Sequence, residues 1–332
     1  MPRRVDVREL VERARRGEQL AVARLISLVE DGAESALREV AAALGPHTGR
    51  AHVVGLTGPP GVGKSTTTSA LVGRLRAQGR KVGVLAVDPS SPFSGGALLG
   101  DRVRMGEHAT DDGVFIRSMA TRGHLGGLAW ATPQALRVLD AAGCDVVLVE
   151  TVGVGQSEVE VVALADTTVV LLAPGAGDGV QAAKAGILEI ADVFVVNKAD
   201  RDGARQTVRD LRQMLAFGEQ GTDDPEAGEV WRRPVVRTVA SRGEGVDELV
   251  AALDDHRSWL DRAGERARRR RARAAAEIEA IALEQHRSRI GDLRGAAGLP
   301  RLAERVAAGE LDAYVAADAL TARLARDTPQ SG

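Results

Sequence analysis

This chain of 332 residues has one asparagine, Asn197, one cysteine, Cys144, and only four lysines. Each scarcity excludes something. With one cysteine, no disulfide can close within the chain, so stability must come from a buried core. Cys144 lies ahead of an apolar strand and is expected to be an inert core thiol. Three Trp, one Tyr and four Phe are too few for a base-stacking platform. A net charge of −2 gives no global case for nucleic acid or membrane as partner. No apolar run approaches the roughly 18 residues of a membrane span. The N-terminus has Arg3 and Arg4 but no apolar signal region. A reduced, cytoplasmic protein is therefore expected.

What is present is concentrated around the scarce residues. Arg supplies nearly all of the 44 basic side chains, yet Lys64 closes Gly58-Pro59-Pro60-Gly61-Val62-Gly63-Lys64-Ser65 and Lys198 sits in Asn197-Lys198-Ala199-Asp200. A broad planar guanidinium does not fit where a compact ammonium must sit against phosphates. Residues 52 to 57 read as an apolar strand, and Ala70, Leu71 and Leu75 recur at helical spacing over 65–78. Strand, glycine-rich loop and helix form the phosphate-binding P-loop arrangement. The loop Gly58, Pro59, Pro60, Gly61, Val62, Gly63, Lys64, Ser65 and Thr66 would hold the phosphates, through the N–H groups that its glycines turn inward and through the helix N-terminus. Lys64 would bridge the terminal phosphates and Ser65 would hold Mg²⁺.

The Asn197 tetrapeptide follows the apolar run Val193 to Val196 and begins 133 residues after Lys64. It falls at the carboxyl end of a strand, where parallel α/β sheets bind ligands. The Asp200 carboxylate can accept both N–H groups of the guanine edge; adenine would leave it desolvated and unpaired. The Lys198 stem can cover the base, and Asn197 can tie neighbouring loops together. Thr238 to Ser241 follows another strand, so a backbone N–H of Ala240 or Ser241 can meet the guanine oxygen. GTP and GDP are the expected nucleotides.

Further carboxylates lie at strand ends. Asp145 to Glu150 is a strand ending in an acid, and Gly153 beyond it would bring a backbone N–H to the γ-phosphate. Val82 to Val87 ends in Asp88, and Asp101 lies in a glycine-rich stretch. Ser65, Asp88, Asp101 and Glu150 are the candidate Mg²⁺ ligands, directly or through water. Asp88 also suits a turn, and Asp101 a surface charge. The glycine-rich loop Ala173 to Gln181 leads to Lys184. The candidate catalytic set is Lys64, Asp101, Glu150 and Lys184.

These residues resemble the methylmalonyl-CoA mutase-associated GTPases, the MeaB/ArgK type of G-protein chaperone. The resemblance rests on Gly58 to Ser65, Val87 to Pro92, Arg117 to His124, Glu150 to Gln156, Pro174 to Gln181 and Ile190 to Asp200, within about residues 20 to 250. It implies a third switch loop, here Ala173 to Lys184, and Mg²⁺ near Ser65, Asp88, Asp101 and Glu150. It implies that GTP hydrolysis gates adenosylcobalamin loading and protects methylmalonyl-CoA mutase or a related B12-dependent acyl-CoA mutase. Gly179 departs from the acidic residue that many members carry.

The expected architecture is α/β: a P-loop GTPase domain, 46–256, with a mainly parallel sheet flanked by helices. An N-terminal helical extension, 1–45, precedes it and a C-terminal helical arm, 257–332, follows. The arm has seven arginines over 262–273, apolar Ile278, Ile281 and Leu283, and an amphipathic segment from Leu311 to Leu324. It has no sheet to cover, so a homodimer is expected. Two other functions remain open: a nickel-inserting metallochaperone GTPase and a phosphotransferase acting on a transport protein. The six dispersed histidines and lone cysteine disfavour the first. The lack of a protein-kinase catalytic loop disfavours the second.

Overall fold

The computed structural model describes residues 6–31, 34–89, 106–108, 110–121, 131–151, 163–175, 190–219, 229–290 and 298–327. Seven strands form one sheet: β1 (His52–Thr57), β2 (Val82–Pro89), β3 (Val114–Thr121), β4 (Val146–Thr151), β5 (Thr167–Leu172), β6 (Val193–Val196) and β7 (Val235–Arg237). Their order is β3-β2-β4-β1-β5-β6-β7, and every pairing is parallel. The expectation of a mainly parallel sheet is met, with no antiparallel strand in it among the described residues. Strands β4, β5 and β6 are buried throughout, which explains their near-continuous Val and Leu.

The order decides which helix covers which face. The chain moves outward from β1 to β2 and β3, then returns to β4 beside β1. Right-handed crossovers in opposite directions place their helices on opposite faces. The helices before the first sheet strand are α1 (Val7–Arg15), α2 (Gln19–Asp31) and α3 (Glu34–Leu44); α4 (Lys64–Ala77) follows β1. Helix α4 packs Leu71, Val72 and Leu75 with Val54, Leu56 and Leu148. Helix α5 (Ala131–Ala141) packs on the other face with Val147 and Val149. Helices α1 to α3 enter that second cluster through Leu10, Val11, Leu25, Ile26, Val40 and Leu44. They thus share one core with the sheet. Arg117 of β3 pairs with Glu30 of α2. The Asp140 carboxylate accepts the N–H groups of Gly49, Arg50 and Ala51 at 2.5, 3.2 and 2.9 Å, fixing the entry to β1.

Cys144 is a free, buried thiol. Burial, with the Asp145 charge second, pushes its pKa up to about 12. At neutral pH it stays protonated and unreactive, as its sequence context predicts.

The amino ends of β1 and β5 hold a buried polar chain. His52 Nε2 lies 2.7 Å from Thr167 Oγ1, which lies 2.7 Å from His256 Nδ1. His256 Nε2 is 3.3 Å from Asp192 Oδ1. His256 belongs to α7 (Val246–Arg262), after α6 (Ala204–Glu219). Its ring packs against Trp231 and Trp259, with centroids 4.7 and 5.5 Å away.

The chain divides into two compact units, Met1–Ala267 and Arg268–Gly332. Helix α8 (Glu265–Ile290) spans the division, and α9 (Leu299–Ala307) and α10 (Ala313–Asp327) follow. In the second unit Leu302, Ala316 and Leu320 form a small cluster. Ile278 is 68% exposed and Tyr314 86%. Among the described residues no helix is long and apolar enough to cross a membrane.

Candidate nucleotide site

The site lies at the carboxyl ends of β1, β4 and β6, around the loop that leaves the central strand. Gly58 opens that loop at φ 143°, and a Cβ there would fall 2.2 Å from the Leu171 carbonyl oxygen of β5. Gly63 closes it at φ 97°, and a Cβ would fall 2.4 Å from Asn197 Nδ2. Both positions therefore exclude a side chain on conformational and steric grounds.

Helix α4 starts at Lys64 with Gly63 as its cap. Lys64 is only 7% exposed. Its Nζ donates to the carbonyls of Gly58 at 2.5 Å and Pro59 at 3.1 Å. The ammonium is thus held against the loop it follows.

Glu150 reaches the same place by strand alternation. Val146 and Leu148 face the α4 side, so Glu150, two residues on, faces it too. Ser65 Oγ donates to Glu150 Oε1 at 2.5 Å and Thr68 Oγ1 to Oε2 at 2.9 Å. Residues 65 and 68 are three apart on a helix and share a face. Glu150 is 2% exposed, and these donors help satisfy its buried carboxylate. Thr68 was not singled out from sequence; a hydroxyl one turn beyond the loop serine was the available signal.

Asn197 joins three segments. Its Nδ2 donates to the Val62 carbonyl at 2.8 Å. Its Oδ1 accepts from the Thr238 hydroxyl and the Ala240 N–H, each at 3.1 Å. Aspartate has no donor for Val62, so the single asparagine of the chain sits where both amide functions are used. Lys198 has a φ of 56°, the only positive value outside glycine among the described residues. Its Nζ reaches across to the Gly61 carbonyl at 2.6 Å. Asp200 is 36% exposed and lies 3.3 Å from Arg242, a partner that sequence reasoning did not identify. Ala240 and Ser241 form the short turn after β7.

Pro59, Pro60 and Thr66 lie on the loop and the first helical turn. Asp88 is the next-to-last residue of β2, whose Ala86 and Val87 register with Glu150 and Thr151. Asp101, Gly153 and Lys184 lie outside the described residues, as does the Ala173–Lys184 loop beyond Gly175. Among the described residues, no group of three or more His, Cys, Asp or Glu is arranged to hold a metal ion. The Ser65 hydroxyl beside the Glu150 carboxylate is an all-oxygen donor set that suits Mg²⁺, which retains water for its other positions.

Residues 22–292 match the family model described as methylmalonyl Co-A mutase-associated GTPase MeaB. The chain belongs to the MeaB family. Relatives of this MeaB-family chain extend across archaea and bacteria. The Pyrococcus abyssi protein named "Putative GTPase" is 50% identical over 310 residues, 93% of this chain and 94% of that one. GTPase ArgK of Escherichia coli is 38% identical over 263 residues, 77% of each chain. The solved structure of LAO/AO transport system kinase superposes with a TM-score of 0.72 at 26% identity, covering 98% of this chain and 99% of that one. The MeaB-family chain is accordingly a guanine-nucleotide-binding GTPase of P-loop fold.

Proposed function

We propose that this MeaB-family GTPase hydrolyses GTP with Mg²⁺ and uses the cycle to gate adenosylcobalamin loading of methylmalonyl-CoA mutase or a related B12-dependent acyl-CoA mutase. One observation carries the hydrolytic part: Lys64, Ser65 and Glu150 converge on one loop that Asn197 ties to the Asp200 segment. Lys64 would supply the charge for the β- and γ-phosphates, and the backbone N–H groups from Gly61 to Thr66 would hold their oxygens. Ser65 and Glu150, with Asp88 and Asp101, would hold Mg²⁺, which would supply charge neutralisation at the phosphates. A backbone N–H at Gly153 would serve the γ-phosphate. Asp200 would accept the guanine edge, Lys198 would cover the base, and a backbone N–H of the Ala240–Ser241 turn would meet the guanine oxygen.

The family description supports the client, as does a mouse relative named methylmalonic aciduria type A homolog, 41% identical over 220 residues. It covers 65% of this chain, and the match takes in 52% of the mouse protein. Lys184, after the glycine-rich loop, couples nucleotide state to the client. Purified methylmalonyl-CoA mutase is expected to raise the GTP turnover of the wild-type chain severalfold, and Lys184→Ala to remove that stimulation while leaving GDP affinity intact. Phosphate release with and without mutase measures both. Equal turnover in the presence and absence of this and related acyl-CoA mutases would remove the client assignment.

The C-terminal arm makes the protein a homodimer. Exposed Ile278, Leu283 and Tyr314 support this, since such apolar surface gains most when a second copy covers it. Light scattering at micromolar concentration is expected to give a dimer for the wild type. Ile278→Glu with Leu283→Glu should give a GDP-binding monomer. A monomeric wild type sinks the dimer and reopens an anionic partner for the arginines of α8.

A further inference from the structure

We infer that Arg242 is a built-in competitor of the guanine base for the Asp200 carboxylate, and that it limits how tightly the chain holds GDP. This rests on the assignment of Asp200 to the guanine edge. Arg242 Nη2 lies 3.3 Å from Asp200 Oδ2. A guanidinium presents a planar fork of N–H donors, and guanine presents a comparable pair in N1–H and the 2-amino group. Arg242 approaches Oδ2, and the guanine pair needs both carboxylate oxygens, so the base competes with Arg242 at Oδ2.

The backbone keeps Arg242 in reach. Arg242 is the last residue of the turn Ala240–Arg242, and its N–H donates to the Val239 carbonyl at 2.8 Å. That turn is fixed to the Asp200 segment twice. Asn197 Oδ1 accepts the Ala240 N–H at 3.1 Å, and the Ala199 N–H donates to the Thr238 carbonyl at 3.0 Å. The guanidinium therefore stays near the carboxylate.

A second acid gives the displaced side chain somewhere to go. Glu244 Oε1 lies 3.7 Å from Arg242 Nη1, whereas Asp200 meets Nη2. Glu244 is held in place by an isolated bridge to Val239. When the base takes Asp200, Arg242 can keep an ion pair by leaning on Glu244. Arg242 and Glu244 are 60% and 61% exposed, and Asp200 36%. Exposed pairs are weak, so the competition amounts to a few-fold in affinity. A strong pair would block the site, whereas this one yields to guanine.

The test uses the full chain and equilibrium titration of GDP and XDP against the wild type, Arg242→Ala, Arg242→Lys, Asp200→Asn and the Asp200→Asn, Arg242→Ala double variant. Arg242→Ala is expected to bind GDP about threefold tighter. Arg242→Lys, which keeps charge but loses the fork, should fall between. Asp200→Asn should lose GDP affinity about tenfold or more and gain affinity for XDP. In that background, Arg242→Ala should leave XDP affinity unchanged, because the pair it would break is already gone. Unchanged or weaker GDP binding by Arg242→Ala overturns the proposal; weaker binding would mean that Arg242 helps the nucleotide. Equal tightening with and without the Asp200 carboxylate also overturns it, since Arg242 would then act elsewhere. Undiminished GDP affinity in Asp200→Asn instead removes the guanine assignment beneath it. Thermal melting of every variant checks that the fold is intact.

Discussion

Lys64→Ala is expected to lower GTP hydrolysis by about 10² or more, the scale on which one charge-stabilising donor acts in a water-excluded site. Phosphoryl transfer asks little covalent chemistry of a protein; positioning and charge do most of the work. Lys64 suits that task because its ammonium is buried and fixed by the Gly58 and Pro59 carbonyls. Its stem leaves the first residue of α4, so the charge points back over the loop rather than out to solvent. Lys64→Arg should fail nearly as badly, because a guanidinium needs more room than the loop provides. Single-turnover phosphate release at saturating GTP isolates the chemical step. A rate within threefold of wild type would remove Lys64 from the catalytic assignment.

The second large effect is a loss of stability in mild acid. His52 is 1% exposed. Burial lowers its pKa from 6.5 to about 3; Asp166 opposes that shift, while Arg257, His256 and Arg266 add to it. Asp192 lies beyond His256. In the folded chain His52 is neutral, whereas the unfolded chain takes up a proton below pH 6.5. The unfolded state therefore binds more protons across that window, and stability rises with pH. The contribution is complete above about pH 6.5 and is lost progressively as pH falls toward about 3. At roughly 1.4 kcal/mol per pH unit, the loss is about 2 kcal/mol at pH 5. Denaturant titrations between pH 7.5 and 5 measure it. His52→Gln keeps a hydrogen-bonding side chain beside Thr167 and should flatten the slope by about one proton. An equally steep variant would place the acid sensitivity in other groups.

Much of the local structure was legible. β1 and β6 have the ends that their apolar runs indicate, because Pro and Gly beyond β1 and the polar tetrapeptide beyond β6 stop the strands. The loop and α4 were legible because Gly58 and Gly63 leave no room for other residues. Cys144 was legible as a core thiol from the apolar strand after it.

Glu150 and Asn197 were legible as polar residues at strand ends, but their partners were not. Glu150 meets Ser65 and Thr68, 85 and 82 residues away, because β4 returns beside β1 beneath α4. No periodicity encodes that return. The His52, Thr167 and His256 chain likewise joins residues separated by 115 and 89 positions. Arg242 reads as an ordinary surface arginine among many until β7 lies beside β6 and sets its turn against Asp200.

The sequence by itself determined the glycine-rich loop after β1, the tetrapeptide after β6, the alternation of strands and helices, and the family. The first three depend on neighbours within a few residues, where backbone sterics and side-chain periodicity act, and the family depends on several such motifs in order along the chain. Only the tertiary structure decided the strand order, the sharing of one core by the N-terminal helices and the sheet, and the pairing of Asp200 with Arg242. Those depend on which distant surfaces meet, and long-range packing selects them only when the whole sheet is assembled.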